Sequence, residues 1–100
     1  MHATYRRIKV KSGKAADVAA LIETEYLPLI ESSAGYVSYT LVGLGDDEVA
    51  SLGLFADLAS AEEANEKAKA WTADRLGPLV SSPLEVRAGD VLVSHAGPGA

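Results

Sequence analysis

The stretch Tyr36-Val37-Ser38-Tyr39-Thr40-Leu41-Val42, the turn Gly43-Leu44-Gly45-Asp46-Asp47-Glu48 and the returning Val49-Ala50-Ser51-Leu52-Gly53-Leu54-Phe55 decide the fold. Two runs of aromatic, β-branched and other apolar residues flank a glycine- and aspartate-rich turn, which reads as a β-hairpin. The fold class depends on what stands on either side of it.

Toward the N-terminus, Ala34-Gly35 closes a segment from Lys14 to about Ser33 whose apolar residues recur every 3.6 positions. Val18, Leu21, Ile22, Tyr26, Leu29 and Ile30 form its stripe, while Lys14, Asp17, Glu23 and Thr24 point away. Pro28 lacks an N–H and its ring crowds the preceding turn, so a kink or break is expected there. Gly35 suits a left-handed cap. Before this helix, Thr4 to Lys11 alternates: Thr4, Arg6, Ile8 and Val10 share one face, and Tyr5, Arg7, Lys9 and Lys11 the other. That is a strand, broken by Ser12-Gly13.

Toward the C-terminus, Ser60-Ala61-Glu62-Glu63 has capping-box spacing and opens a helix that runs to about Leu76, where Gly77-Pro78 stops it. Ala61, Ala64, Ala68 and Trp71 share a face, and Glu63 and Lys67 make an exposed pair. Leu79 to Pro83 reads as a connector and Leu84 to Ser94 as a last strand, bent or bulged at Gly89. The tail Ala96 to Ala100 is expected to be disordered. The order strand, helix, hairpin, helix, strand predicts a ferredoxin-like α+β domain, βαββαβ, spanning residues 1–100. Its antiparallel sheet would carry both helices on one face.

That layout leaves the other sheet face bare. Val37, Tyr39 and Leu41 oppose Tyr36 and Val42; Val49 and Phe55 oppose Leu52 and Leu54; Val91 and Val93 oppose Leu92. Strands apolar on both sides are covered on both sides, so a homodimer is expected.

A net charge of −5 argues against a nucleic-acid partner, and no apolar run is long enough to span a membrane. The opening residues Met1 to Arg7 lack the apolar core of a signal peptide. Without cysteine there is no disulfide, thiolate nucleophile or cysteine-held metal, and a cytoplasmic protein fits. His2 and His95, at opposite ends of the chain, make no metal signature. Neither a phosphate loop nor a dinucleotide fingerprint occurs. No metal or organic cofactor is expected.

The residues that bear on chemistry are few. Trp71 is either a core anchor or the wall of a ligand pocket, because indole offers a flat apolar surface and one N–H. Arg75, one turn on, can stack over that ring, reach a ligand anion, or snorkel to solvent. Tyr26 is a polar handle on the first helix. The alanines of the second helix, Ala61, Ala64, Ala68, Ala70 and Ala73, permit either close packing on the sheet or a cavity. Arg6 shares its face with Ile8 and Val10, so its head finds a carboxylate, meets a ligand or escapes at the strand end, escape being the default. Asn65 stands six residues from Trp71, off its face, and reads as a surface residue.

Three segments resemble the antibiotic biosynthesis monooxygenase family of dimeric α/β-barrel proteins. They are Tyr5-Arg6-Arg7-Ile8-Lys9-Val10-Lys11-Ser12-Gly13-Lys14, Tyr26-Leu27-Pro28-Leu29-Ile30-Glu31 running on to Ala34-Gly35-Tyr36, and the lead-in from Phe55 to Trp71. The resemblance implies a homodimer with a pocket between helices and sheet in each subunit. Some members oxidise aromatic polyketides or quinols without metal or flavin, and others degrade haem. The haem-degrading branch is less similar: Arg6 stands where it has a first-strand asparagine, and no histidine occurs between Ser60 and Ser82. The polyketide branch pairs a helix asparagine and tryptophan with tyrosines; here Asn65 and Trp71 supply the types at a wider spacing. Two readings follow. One is a cofactor-independent monooxygenase acting on an aromatic or quinol-like substrate, with Tyr26 and Trp71 as donors and Arg6 or Arg75 holding an anion. The other is a ligand-binding or regulatory module without turnover, its pocket occupied by a ligand or by its own side chains.

Overall fold

The computed structural model describes residues 1–97, without the side chains of residues 82 and 83. Strand β1 (His2–Val10) leads into a helical stretch at residues 15–31, made of α1 (Ala15–Leu21), a wide π turn (Ile22–Tyr26) and α2 (Leu27–Glu31). The hairpin β2 (Tyr36–Gly43) and β3 (Glu48–Phe55) follows. The second helical stretch, residues 58–76, comprises α3 (Leu58–Trp71) and a π turn (Thr72–Leu76), and β4 (Val80–Asp90) ends the fold. The strands lie in the order β2-β3-β1-β4, each neighbouring pair antiparallel. This is the expected ferredoxin-like α+β sheet, with the apolar sides of both helical stretches packed on one face.

Thr4 and Val10 of β1 and Val49, Ser51 and Phe55 of β3 are buried on the helix-covered face. The main core joins Val10 and Val49 to Val18, Ile22, Tyr26 and Ile30 from the first helical stretch and Ala68 and Leu76 from the second. A smaller cluster, Phe55 with Ala61 and Ala64, seats the start of α3 on the sheet.

Four details differ from the sequence-based expectation. Of the kink or break expected at Pro28, the break does not occur: the turn before it widens, and the Leu27 N–H bonds the Ile22 carbonyl five residues back. A helix can take up a proline in this way without ending. The cap of α3 is Asp57 rather than Ser60. The Asp57 side chain accepts the Ser60 N–H at 2.7 Å, and this bond holds its carboxyl below the usual range.

In β2 the register slips by one residue between Tyr36 and Ser38. Tyr36 therefore shares the covered face with Tyr39 and Leu41, and the strict alternation that placed it opposite them fails. Finally, β4 begins at Val80 and ends at Asp90, four residues earlier at each end than Leu84 to Ser94. Its register irregularities fall opposite Arg7/Ile8 and Lys9/Val10, beside Pro83, and not at Gly89. Proline removes a ladder donor, so an edge strand absorbs it with a bulge. Val91, Leu92 and Val93 lie beyond the strand, with Leu92 and Val93 92% and 89% exposed. They say nothing about a second apolar sheet face. The rest of that face keeps its apolar members: Val42 and Leu52 are exposed on it beside Leu54. Its other end is charged, where Lys9 and Arg7 meet Asp47 and Glu48 of the hairpin tip at 3.8 and 3.6 Å. The C-terminal tail expected to be disordered falls partly on residues 98–100, outside those described.

Gly35 is where backbone and helix come closest. Its φ is +77°, and a Cβ there would stand 2.5 Å from the Ser60 hydroxyl. Gly13 has a similar φ of +74° with open space around it. Gly13→Ala should cost roughly 1–2 kcal/mol, the strain of a left-handed backbone alone. Gly35→Ala should cost clearly more, as read from urea midpoints at unchanged slope. Equal losses would contradict the close approach.

Candidate functional site

On the covered face, Arg6 and Ile8 of β1, Tyr39 of β2 and Ser51 of β3 look toward the two π turns. Tyr26 stands at the centre. Its ring is 5.6 Å from Tyr39 in an edge arrangement and 5.2 Å from Trp71, tilted by 33°. Between these rings, Arg6, Ser51 and Thr72 remains a cavity of about 40 Å³. That holds a water or two and no aromatic ligand. The space expected around Tyr26 and Trp71 exists, but the aromatic rings mostly fill it.

A larger space opens beside it. Ala68, Lys69, Thr72 and Ala73 on one side and Arg6, Ile8 and Val86 on the other bound a groove of about 390 Å³. Arg6, Ile8, Ala68 and Thr72 line both spaces, so groove and inner cavity lie side by side. The volume is within the range of small-molecule pockets. Helix geometry explains where it forms. Ala61 and Ala64 are 0% and 2% exposed, pressed onto the sheet, whereas Asn65, Ala68, Lys69, Thr72 and Ala73 follow one another at helical spacing along the side facing β1 and β4. The alanines thus do both things open to them: close packing near Asp57 and a gap further along.

The four residues singled out from the sequence separate. Arg6, Tyr26 and Trp71 all line the inner cavity. Arg6 does not escape to solvent: its Nη2 donates to Asn65 Oδ1 at 3.2 Å. Asn65 is therefore a part-buried partner of the site and not a plain surface residue. Its spacing of three, four and seven residues from Ala68, Lys69 and Thr72 was the signal, and comparison with Trp71 alone hid it. Arg75 is elsewhere. Its Nε and Nη2 donate to the two oxygens of Glu25 at 2.8 and 2.9 Å, a fork that ties one π turn to the other. It neither stacks on Trp71 nor reaches the groove. Hydrogen bonding to Arg75 keeps the Glu25 carboxyl below its ordinary range. Val86, Tyr39 and Ser51 join the site through strand register, and Thr72 follows Asn65 and Ala68 along the helix; none of the four was singled out from the sequence for the site.

Burial pushes the Tyr26 phenol up to about 12, helped by neighbouring Tyr39 and opposed by the Arg6 charge. Burial also raises Tyr39, with Ser51 and Arg6 pulling it back. Both phenols stay protonated at neutral pH and can donate a hydrogen bond but not remove a proton. Among the described residues no cluster of histidine, aspartate and glutamate could hold a metal ion, and no helix is long and apolar enough to cross a membrane.

A ferredoxin-like sheet with a side pocket between its second helix and β1–β4 is the architecture that these observations define. No protein-family model and no curated protein matches the sequence. Solved structures share its fold. One is a Nitrosomonas europaea protein of unknown function, NE2512, at 24% identity over 98% of this chain and 95% of that one, with a TM-score of 0.76. Another is SnoaB, a cofactor-independent oxygenase from Streptomyces nogalater, at 17% identity over 93% and 94%, TM-score 0.71. A third is a candidate antibiotic biosynthesis monooxygenase from Chloroflexus aurantiacus, at 13% identity over 95% and 96%, TM-score 0.73. The fold is that of antibiotic biosynthesis monooxygenase-like proteins, as the resemblance implied.

The buried phenol makes a pH prediction. Because the folded state holds the Tyr26 proton more tightly, this stability is full below about pH 10 and is lost as pH rises toward about 12. Chemical denaturation should show stability falling across that window by roughly 2–3 kcal/mol. Tyr26→Phe should flatten the fall; an unchanged slope in the variant would contradict the assignment.

Proposed function

We propose that this protein is a homodimeric small-molecule-binding protein, with the ligand lying in the groove between residues 65–73 and the β1–β4 edge. The observation that carries this reading is the groove of about 390 Å³ beside Arg6, walled mostly by apolar side chains and methyl groups. Van der Waals contact along Ile8, Ala68, Ala73 and Val86 would hold an apolar body, and Arg6, Asn65 and Thr72 would orient its polar end. The exposed Val42 and Leu52 support a second copy covering the bare sheet face. Leu52→Glu should then reduce the sedimentation mass from two chains to one while circular dichroism stays unchanged. A wild-type mass of one chain would refute the dimer. A cytoplasmic setting fits a chain without cysteine.

Turnover is the second reading, favoured by the likeness to SnoaB and by an arginine set among apolar groups. In a cofactor-free oxygenation the substrate supplies all the electrons. When a ring CH2 becomes C=O, one oxygen of O2 joins the carbon and the other leaves as water with the two hydrogens. The protein's share would be a dry pocket and stabilisation of the electron-rich substrate anion, a task for the Arg6 guanidinium. Tyr26, held protonated, could donate a hydrogen bond to such an anion but could not take the substrate's proton.

The test uses naphthalenemethanol, a neutral aromatic, and a variant that fills the groove at an exposed position, Ala73→Trp. Calorimetry should detect binding to the wild type and none to the variant. Equal binding by both would place the ligand elsewhere, and no binding by the wild type of either this alcohol or the matching carboxylate, naphthoate, would refute the reading. Oxygen uptake with an anthrone, lost in the same variant, would establish turnover.

A further inference from the structure

We propose that the ligand of this groove is an anion: an apolar, aromatic-sized body carrying one carboxylate or equivalent acidic group, with the acidic group at Arg6 and Lys69. The inference rests on the small-molecule reading above and adds the charge of the ligand.

Charge bookkeeping around the groove supports it. The chain carries 14 acidic residues against 9 lysines and arginines, yet no carboxylate lines the groove or the inner cavity among the described residues. Both charged residues on the groove wall, Arg6 and Lys69, are cations. The other exposed cations around the sheet and helices largely have carboxylate partners: Arg7 with Glu48, Lys9 with Asp47, Lys67 with Glu63, Arg75 with Glu25. Neither Arg6 nor Lys69 has a carboxylate within 4.0 Å among the described residues, and Arg6 has only the neutral amide oxygen of Asn65. Glu62, Glu63 and Glu66 border another hollow, which Asn65 also lines.

A guanidinium needs an anion to use its planar donor set fully, and part of that set is unmatched at Arg6. Lys69 adds a flexible point charge at the mouth, suited to drawing an anion in rather than fixing it. The remaining wall is Ile8, Ala68, Ala73 and Val86 with the single hydroxyl of Thr72, which is why one acidic end and a largely apolar remainder fit.

Naphthoate and naphthalenemethanol, matched in shape and differing in charge, separate the possibilities by calorimetry at low ionic strength. The wild type should bind naphthoate roughly tenfold or more tightly than the alcohol. Arg6→Gln should remove most of that preference, weakening naphthoate binding by a much larger factor than alcohol binding. Lys69→Gln, at an exposed helix position that cannot upset folding, should weaken naphthoate binding and its salt dependence by a smaller factor. Equal binding of the two probes by the wild type overturns the anion inference and leaves the small-molecule reading standing. The same holds if both variants keep the full preference. If neither probe binds the wild type, both readings fall.

Discussion

Placing a guanidinium between a sheet and an apolar helix face costs several kcal/mol unless its donors are matched, and Arg6 stands on the covered face of β1. Thr4, two residues before it, is fully covered, and Val10 at the end of the strand is a core residue. Arg6 interrupts that row. A helix lying flat over it would strip its water and supply nothing in return. The second helical stretch is buried against the sheet at Ala61, Ala64, Ala68 and Leu76, and beside Arg6 it presents Asn65 and Thr72. The groove is the space this arrangement leaves.

The helices accommodate the same constraint. Each contains one π turn, Ile22–Tyr26 and Thr72–Leu76, and residues from both line the inner cavity. A wide turn shifts side chains off the regular helical stripe, so Tyr26 and Trp71 come together over the sheet. The Glu25–Arg75 fork joins the two turns on the outside. The exposed ion pair adds little stability by itself. Its role is geometric, because it ties the π turn that carries Tyr26 to the one that follows Trp71.

Most of the architecture was legible in the sequence because period and punctuation are local properties. The alternation in Thr4 to Lys11, the hairpin turn and the two apolar helix stripes each report their own element. What escaped depended on relations between elements. The bulge at Val37 turns Tyr36 to the other face, and the register of β4 around Pro83 brings Val86 opposite Arg6. The site was half visible. Arg6, Tyr26 and Trp71 do converge, whereas Arg75 is claimed by Glu25 from the other helical stretch, fifty residues away in sequence. Asn65 escaped because helical spacing was measured to Trp71 and not to the residues that form the groove.

The central claim is that a ligand enters beside Arg6 and not among the aromatic rings or on the bare sheet face. Amide and methyl chemical-shift mapping during titration with naphthoate tests it most directly. The account predicts perturbations concentrated at Ile8, Asn65, Ala68, Thr72, Ala73 and Val86. Shifts confined to Val42, Leu52 and Leu54 on the opposite face, or spread evenly over the protein, would contradict it.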